Sequence, residues 1–392
     1  MSARPAAVPV GAGAVPAATS TRVLFAGGGT GGHLYPALAL AAAVQAERPG
    51  TGVHFAGAQR GVEARVLPAQ GVPHTLLPFQ PLYRDRVWRN WKVPFALAAS
   101  LRGLAQLFRR FRPQLVVGTG GYAAGPACFY AVLRGTPMAL QEQNSFPGMT
   151  IRVLSRWARQ VHLGFPEARR YLKPGRHTQV FDLGNPIRPP DFSLDRTACR
   201  VGFGLPAEGM VVLVVGGSQG ARGVNRALAE ALERVAGGAL EPPPATLQIL
   251  WATGPTHIDT ITRQLAPLYL DWVHARGYID DMPRALAAAD VALSRAGAMA
   301  TAELLAWGIP AVLVPFPAAA ANHQDHNARA LAEAGAALYL PETELTPARL
   351  WRDLLALTAD RERRARMRAA ALERARPHAA RDIAQRLLEL VP

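Results

Sequence analysis

Lysine and cysteine are almost absent from this chain. Lys92 and Lys173 are the only lysines, and Cys128 and Cys199 the only cysteines, in 392 residues. Two cysteines cannot build a disulfide framework or a thiolate-rich metal site, and the pattern fits a reducing cytosol. Acids are scarce as well: 28 Asp and Glu stand against 43 basic residues, a formal charge of +15. No Asp-x-Asp pair occurs, so the usual carboxylate clamp for a divalent ion under a nucleoside diphosphate is missing. No Gly-x4-Gly-Lys-Ser/Thr occurs, which excludes P-loop chemistry. No apolar run reaches the ~18 residues of a membrane helix, which excludes a spanning protein but not one that lies on a membrane surface. Zinc-finger spacings and aromatic RNA-binding signatures are also missing. The expected anionic partner is therefore a phospholipid surface or a phosphorylated substrate, with no nucleic acid.

Hydrophobic residues make up 49% of the chain and charged residues 18%, the balance of a folded protein, and the length predicts two domains. Residues 1–20, rich in Ala, Pro, Gly and Val, lack a continuous apolar core and read as a disordered tail rather than a signal peptide. From Arg22 onward, short apolar runs alternate with helical stretches. The runs at 23–26, 53–56, 114–117, 137–140, 210–215, 247–252, 291–293 and 311–314 read as buried strands. Such alternation predicts α/β architecture with parallel sheets. The prolines at 186, 189 and 190 mark a seam. The expected organisation is an N-terminal domain over 21–188, a linker at 189–205, a C-terminal domain over 206–370 and a final helical segment at 371–392.

Three glycine loops each follow a strand and open a helix: 27–33, 118–122 and 216–223. Such a loop lets a ligand approach the backbone and presents helix N-terminal amides to phosphate. Gly27, Gly29 and Gly32 satisfy the dinucleotide pattern G-x-G-x-x-G, yet the second strand runs into Gly57-Ala58-Gln59 without the acid that a dinucleotide site needs. His33 closes the first loop. Set at a helix start, it is either a packing residue or a general base, and its position favours the base. In Ser294–Glu303, Gly297 permits close approach, the amides of Ala298, Met299 and Ala300 face a diphosphate, and Glu303 accepts from ribose hydroxyls or simply stabilises its helix. The amides and imidazoles of Asn322–Asn327 suit sugar hydroxyls. His323, Asp325 and His326 make a poor metal set, because no second cluster completes four ligands. No metal and no cofactor are expected.

Taken together, several blocks resemble the MurG family, the N-acetylglucosaminyltransferases that form lipid II. They are Gly28–His33, Gly120-Gly121-Tyr122, Gln141-Glu142-Gln143-Asn144, Gly184–Arg188, Gly216–Ala221, Ser294–Glu303 and Pro315–Asn327. The resemblance spans about 22–381 and implies a GT-B fold, two Rossmann-like domains facing across a cleft. It implies inverting transfer from UDP-N-acetylglucosamine to the muramoyl C4 hydroxyl of lipid I, by a peripheral protein on the cytoplasmic face of the cell membrane. By resemblance, Thr30, Gly31, Gly32 and Asn144 contact donor and acceptor. Arg188, Ser218, Ile279, Ala298, Met299, Ala300, Thr301, Ala302, Glu303 and Gln324 form the UDP-N-acetylglucosamine site, and His33 and Glu142 are needed for turnover. The run Ala318–Ala321 is blander than the family's polar loop.

A lipid-linked substrate requires contact with an anionic bilayer. Residues 79–112 combine Trp88, Trp91, Phe95 and further apolar residues, among them Phe79, Leu104, Leu107 and Phe108, with Arg86, Arg89, Lys92 and five more basic residues against one acid. That is the composition of an interfacial segment, or of a core helix with a basic outer face. Two other readings stay open: another GT-B enzyme, either a glycolipid glycosyltransferase or a UDP-N-acetylglucosamine 2-epimerase, and a non-catalytic scaffold that binds UDP-sugar or membrane. An epimerase needs catalytic carboxylates, in which these motifs are poor.

Overall fold

A computed structural model describes residues 21–80, 93–217 and 219–391, with side chains from residue 95 in the second stretch. The expectations for residues 1–20, for Arg86, Trp88, Arg89, Trp91 and Lys92, and for Ser218 lie outside the described residues. The chain divides into two compact units. One ends at Arg188 and regains His378–Pro392; the other is Pro189–Pro377.

In the N-terminal unit the strands are β1 (Arg22–Gly27), β2 (Gly52–Ala58), β3 (His74–Leu77), β4 (Leu115–Gly120), β5 (Met138–Glu142), β6 (Gln160–Leu163) and β7 (Gln179–Phe181). They form a parallel sheet in the order β3-β2-β1-β4-β5-β6-β7. The strands are continuous apolar runs because helices cover both faces. On one face lie α3 (Val93–Phe111), α4 (Gly121–Leu133) and α5 (Met149–Leu154). On the other lie α1 (Gly31–Glu47) and the last helix, α14 (Ala379–Leu388). Ile383, Ala384, Leu387 and Leu388 of α14 are buried in the same core as Leu40, Ala41 and Val44 of α1. Their i, i+4 spacing is the apolar stripe that an amphipathic helix buries. Gln160 Nε2 also donates to the Arg386 carbonyl at 2.9 Å.

The C-terminal unit repeats the plan. Its strands are β8 (Met210–Val215), β9 (Leu247–Ala252), β10 (Val273–Arg276), β11 (Val291–Ser294), β12 (Ala311–Leu313) and β13 (Ala337–Tyr339), in the order β10-β9-β8-β11-β12-β13. The stretch expected as a linker, 189–205, holds α6 (Arg196–Gly202), capped by the Asp195 carboxylate, which accepts from the amides of Thr197 and Ala198. Cys199 and Arg200 of α6 are buried, and Arg200 donates to Asp290 at 2.7 Å. A buried, ion-paired helix makes this stretch part of the unit rather than a tether.

In both sheets the strand order reverses at the first strand. The loops after β1 and β4 meet at one switch point and those after β8 and β11 at the other, where α/β sheets bind ligands.

Candidate active site

At the first switch point the glycine loops after β1 and β4 interlock. Gly29 (φ +86°) and Gly121 (φ +79°) lie in the left-handed region. A Cβ on Gly29 would lie 2.6 Å from the Tyr122 ring, and one on Gly121 would lie 2.2 Å from the Gly28 carbonyl. Thr30 caps α1 with extended backbone, but its hydroxyl serves no helix amide; it lies 3.1 Å from His33 Nδ1. The His33 ring packs on Gly120, where a Cβ would lie 2.8 Å from the ring. Thr119 Oγ1 donates to the His33 carbonyl at 2.7 Å. His33 is half-buried, and Gly32 and Thr30 are exposed beside it. If Nδ1 donates to Thr30, the Nε2 lone pair can take a proton, which is the geometry of a general base. His162 is fully buried, and burial, aided by Arg386, lowers it to about 3, so it is a core residue.

Glu142 is not a second open acid or base. It is 2% exposed and accepts from the amides of Asn144 and Gly148, both at 2.9 Å, and from Asn144 Nδ2 at 3.2 Å. Burial pushes its carboxyl above the usual carboxylate range, and the amide donors pull it back. Its role in this geometry is to close the loop 143–148. Asn185 joins the same network, donating to the Gln143 carbonyl and accepting from Gln141 Nε2.

At the second switch point a cavity of about 770 Å³ opens between the N-termini of α7 (Arg222–Ala236) and α10 (Ala298–Trp307). That volume suits a nucleotide-sized ligand. Its walls include Gly216, Gly217, Gly220, Arg222, Arg226, Ser294, Arg295, Gly297, Ala300, Gln324 and Glu342. Neither helix has an acid in its first turn, so both positive dipole ends are available to an anion. Arg222 and Arg226 are exposed on one face of α7, at i and i+4. Arg295 is buried; it donates to the Val314 and Pro315 carbonyls at 3.1 Å and pairs with Glu342. Gln324 Oε1 accepts from the Phe316 amide at 3.0 Å, which fixes the loop beside the cavity. Before it, Ala321 and Asn322 adopt consecutive left-handed conformations (φ +51° and +54°), so the bland alanine run is a strained corner.

Of the residues expected here, Ala300 and Gln324 line this cavity. Ala298 and Thr301 turn into the protein; the Thr301 hydroxyl is bound to the Gly297 and Ala298 carbonyls. Met299, Ala302 and Glu303 are half-buried on α10 outside the cavity wall, and Ile279 is buried. Burial raises the Glu303 carboxyl to about 7. Arg188 is exposed at the end of the N-terminal unit. Arg226, Arg295 and Glu342 also line the cavity without a local sequence signal; Arg295 lies within Ser294–Glu303, but its partner Glu342 is 47 residues on. Asp325 is held by Arg329 at 2.7 Å and Tyr339 at 2.5 Å, and among the described residues no three His, Cys, Asp or Glu side chains cluster as metal ligands. Phe79, Leu104, Leu107 and Phe108 belong to the core rather than to a membrane face, whereas Phe95 is 72% exposed.

Two doubly wound units, with a nucleotide-sized cavity at one switch point and a histidine at the other, define a GT-B glycosyltransferase. The glycosyltransferase family 28 N-terminal domain matches residues 23–163 and its C-terminal domain residues 211–387. A protein of Moorella thermoacetica named UDP-N-acetylglucosamine--N-acetylmuramyl-(pentapeptide) pyrophosphoryl-undecaprenol N-acetylglucosamine transferase is 42% identical over 94% of this chain and 99% of its own. The protein of the same name from Salinibacter ruber is 43% identical over 94% and 96%. The crystal structure of Acinetobacter baumannii MurG superposes with a TM-score of 0.73 at 28% identity, covering 94% of this chain and 99% of that one. A putative Listeria monocytogenes UDP-N-acetylglucosamine 2-epimerase shares the fold alone, at 13% identity and a TM-score of 0.62. The chain belongs to glycosyltransferase family 28 and, within it, to the MurG family.

Proposed function

We propose that this enzyme transfers N-acetylglucosamine from UDP-N-acetylglucosamine to the C4 hydroxyl of the muramoyl sugar of lipid I, with inversion, giving lipid II. The observations that carry the reading are a nucleotide-sized cavity at the starts of two helices in one unit and a glycine-loop histidine held by Thr30 in the other. His33 takes the proton of the attacking hydroxyl at Nε2, and Thr30 holds Nδ1 in the tautomer that permits it. The departing UDP carries its growing negative charge onto the amides at the starts of α7 and α10 and onto Arg222 and Arg226. Gln324 and Ala300 line the sugar-nucleotide site, Glu303 stands outside that wall on the same helix as Ala300 and is assigned to the ribose hydroxyls by its place in the motif alone, and Asn144, oriented by Glu142, serves the acceptor.

We further propose peripheral attachment to the anionic cytoplasmic face of the membrane. No helix of the described residues is long and apolar enough to cross one. Phe129 and Leu133 of α4, Met149 and Val153 of α5, and Trp157 are between 44% and 63% exposed. Each helix spaces its pair by four residues, so each presents them on one face. Phe129 and Trp157 make an edge-on contact at 6.4 Å, and the Arg156 guanidinium covers Trp157 at 5.2 Å. Arg134 and Arg156 are exposed beside them. Apolar surface rimmed by arginine supports a lipid-facing surface on α4 and α5. The test of function is transfer of labelled N-acetylglucosamine from UDP to a lipid I analogue. Label must move to the lipid; release of label as free sugar only would sink the reading.

A further inference from the structure

The acid that a dinucleotide site would carry at the end of β2 is missing, but a carboxylate reaches the glycine loop from elsewhere. Glu63 opens α2 (Glu63–Ala69), five residues beyond β2, and is fully buried. Its Oε2 accepts from the Gly29 amide at 2.8 Å and its Oε1 from the Ala58 amide at 2.9 Å. Three glycines, in the loop after β1, in β2 and in the loop after β2, make room for it. A Cβ on Gly28 would lie 2.3 Å from Oε1, one on Gly57 2.7 Å from Cγ, and one on Gly61 2.1 Å from Oε2. Glycine at 28, 57 and 61 is therefore tied to this carboxylate, and the carboxylate to the backbone of the loop that bears Thr30 and His33.

We propose that Glu63 is a positioning residue for transfer: by holding the Gly29 amide it sets the Gly28–Thr30 backbone and, through Thr30 Oγ1, the orientation of the His33 imidazole. It also leaves the Gly29 amide committed, so an acceptor phosphate must find its donors elsewhere on the loop. The inference rests on His33 acting as the base. A carboxylate is required rather than an amide, because the two oxygens face two N–H donors; Gln would turn its NH2 against one of them. Aspartate is one methylene too short to reach both. A reacting group misplaced by about 1 Å loses on the order of 10²-fold in rate.

The experiment compares Glu63→Gln, Gly61→Ala and His33→Ala in the full-length enzyme, measuring kcat, acceptor KM, its pH profile, UDP affinity by calorimetry and the melting temperature. Gly61→Ala keeps the Glu63 side chain but displaces it, so it reports even where Glu63→Gln fails to fold. We expect both Glu63→Gln and Gly61→Ala to lower kcat by about 10- to 100-fold and to shift the acid limb of the pH profile, with UDP affinity within about twofold of wild type. A folded variant with unchanged kcat and pH profile, whatever its melting temperature, makes Glu63 a structural residue only and overturns the proposal. If His33→Ala keeps its rate, the base assignment has failed; if His33→Ala is impaired and both loop variants are not, only the Glu63 inference has failed.

Discussion

In the C-terminal unit the loops after the first and fourth strands leave two helix N-termini open to a cavity. In the N-terminal unit the same strand order brings the corresponding loops into contact. There the first loop is tethered by a buried carboxylate, and a histidine follows it. The difference separates the two tasks of a group transfer. On the proposed mechanism, one switch point keeps its amides for a leaving diphosphate, which needs positive potential. The other commits an amide to Glu63 and places an imidazole, which needs orientation more than field. A shared topology therefore tells little about which ligand each half holds; the side chains that enter the loops decide it.

The sharpest way to break this division is His33→Ala. Loss of a general base costs about 10²- to 10⁴-fold, so kcat should fall by that order while UDP affinity, set in the other unit, stays the same. A kcat within threefold of wild type would remove His33 from the chemistry. On the donor side, Glu303→Ala removes a hydrogen bond worth about 0.5–1.5 kcal/mol, so the donor KM should rise about two- to tenfold with the fold intact; an unchanged donor KM would detach Glu303 from the ribose.

Surface changes probe a property of the N-terminal unit alone. Replacing Leu133 and Trp157 with Ser should weaken binding to anionic vesicles about tenfold or more while activity on a short-chain, water-soluble acceptor survives. Arg86, Arg89 and Lys92 changed together to Gln should cost about 3 kcal/mol of the same binding, and raised salt should mimic them. Vesicle binding that ignores both sets of changes and salt would remove these surfaces from membrane contact.

Glu303 also gives the C-terminal unit a pH signature. Its carboxyl stands near 7 when folded, against an ordinary 4.5, with burial as the cause. Between these values the folded chain holds the extra proton, so stability falls as pH rises through that window and levels off above it. The full difference amounts to about 3 kcal/mol, and Glu303→Gln should flatten it; urea melts at pH 5 and pH 8 measure both. The smallest expected effect is that of chelation. Activity should survive exhaustive EDTA treatment if, as proposed, helix N-termini and arginines carry the charge of the diphosphate; loss restored by Mg²⁺ would overturn that account.

Much of this was legible before the structure. The central strands β1, β4, β8, β9 and β11 are apolar runs because both faces of a parallel sheet are covered. Strands β6 and β10 were not legible, because Gln160, His162, His274 and Arg276 break the apolar pattern. Gln160 is buried by hydrogen-bonding α14 more than 200 residues away, a compensation that no local window contains. The Ser294–Glu303 motif was legible as a block, but helical periodicity, invisible in a motif, turns Ala298 and Thr301 inward and leaves Ala300 on the cavity wall. Glu63 carries no local signal because it enters from the helix after β2 and faces the loop, not the strand end where a dinucleotide site holds its acid.

The measurement that bears most directly on the central claim is the structure of the reaction product. Incubated with UDP-N-acetylglucosamine and a lipid I analogue, the enzyme should release one UDP per acceptor consumed. NMR of the product should show a single β-linked N-acetylglucosamine at the muramoyl C4. An α linkage would contradict inversion through His33, and UDP-N-acetylmannosamine or free sugar in place of a disaccharide would contradict the transfer itself.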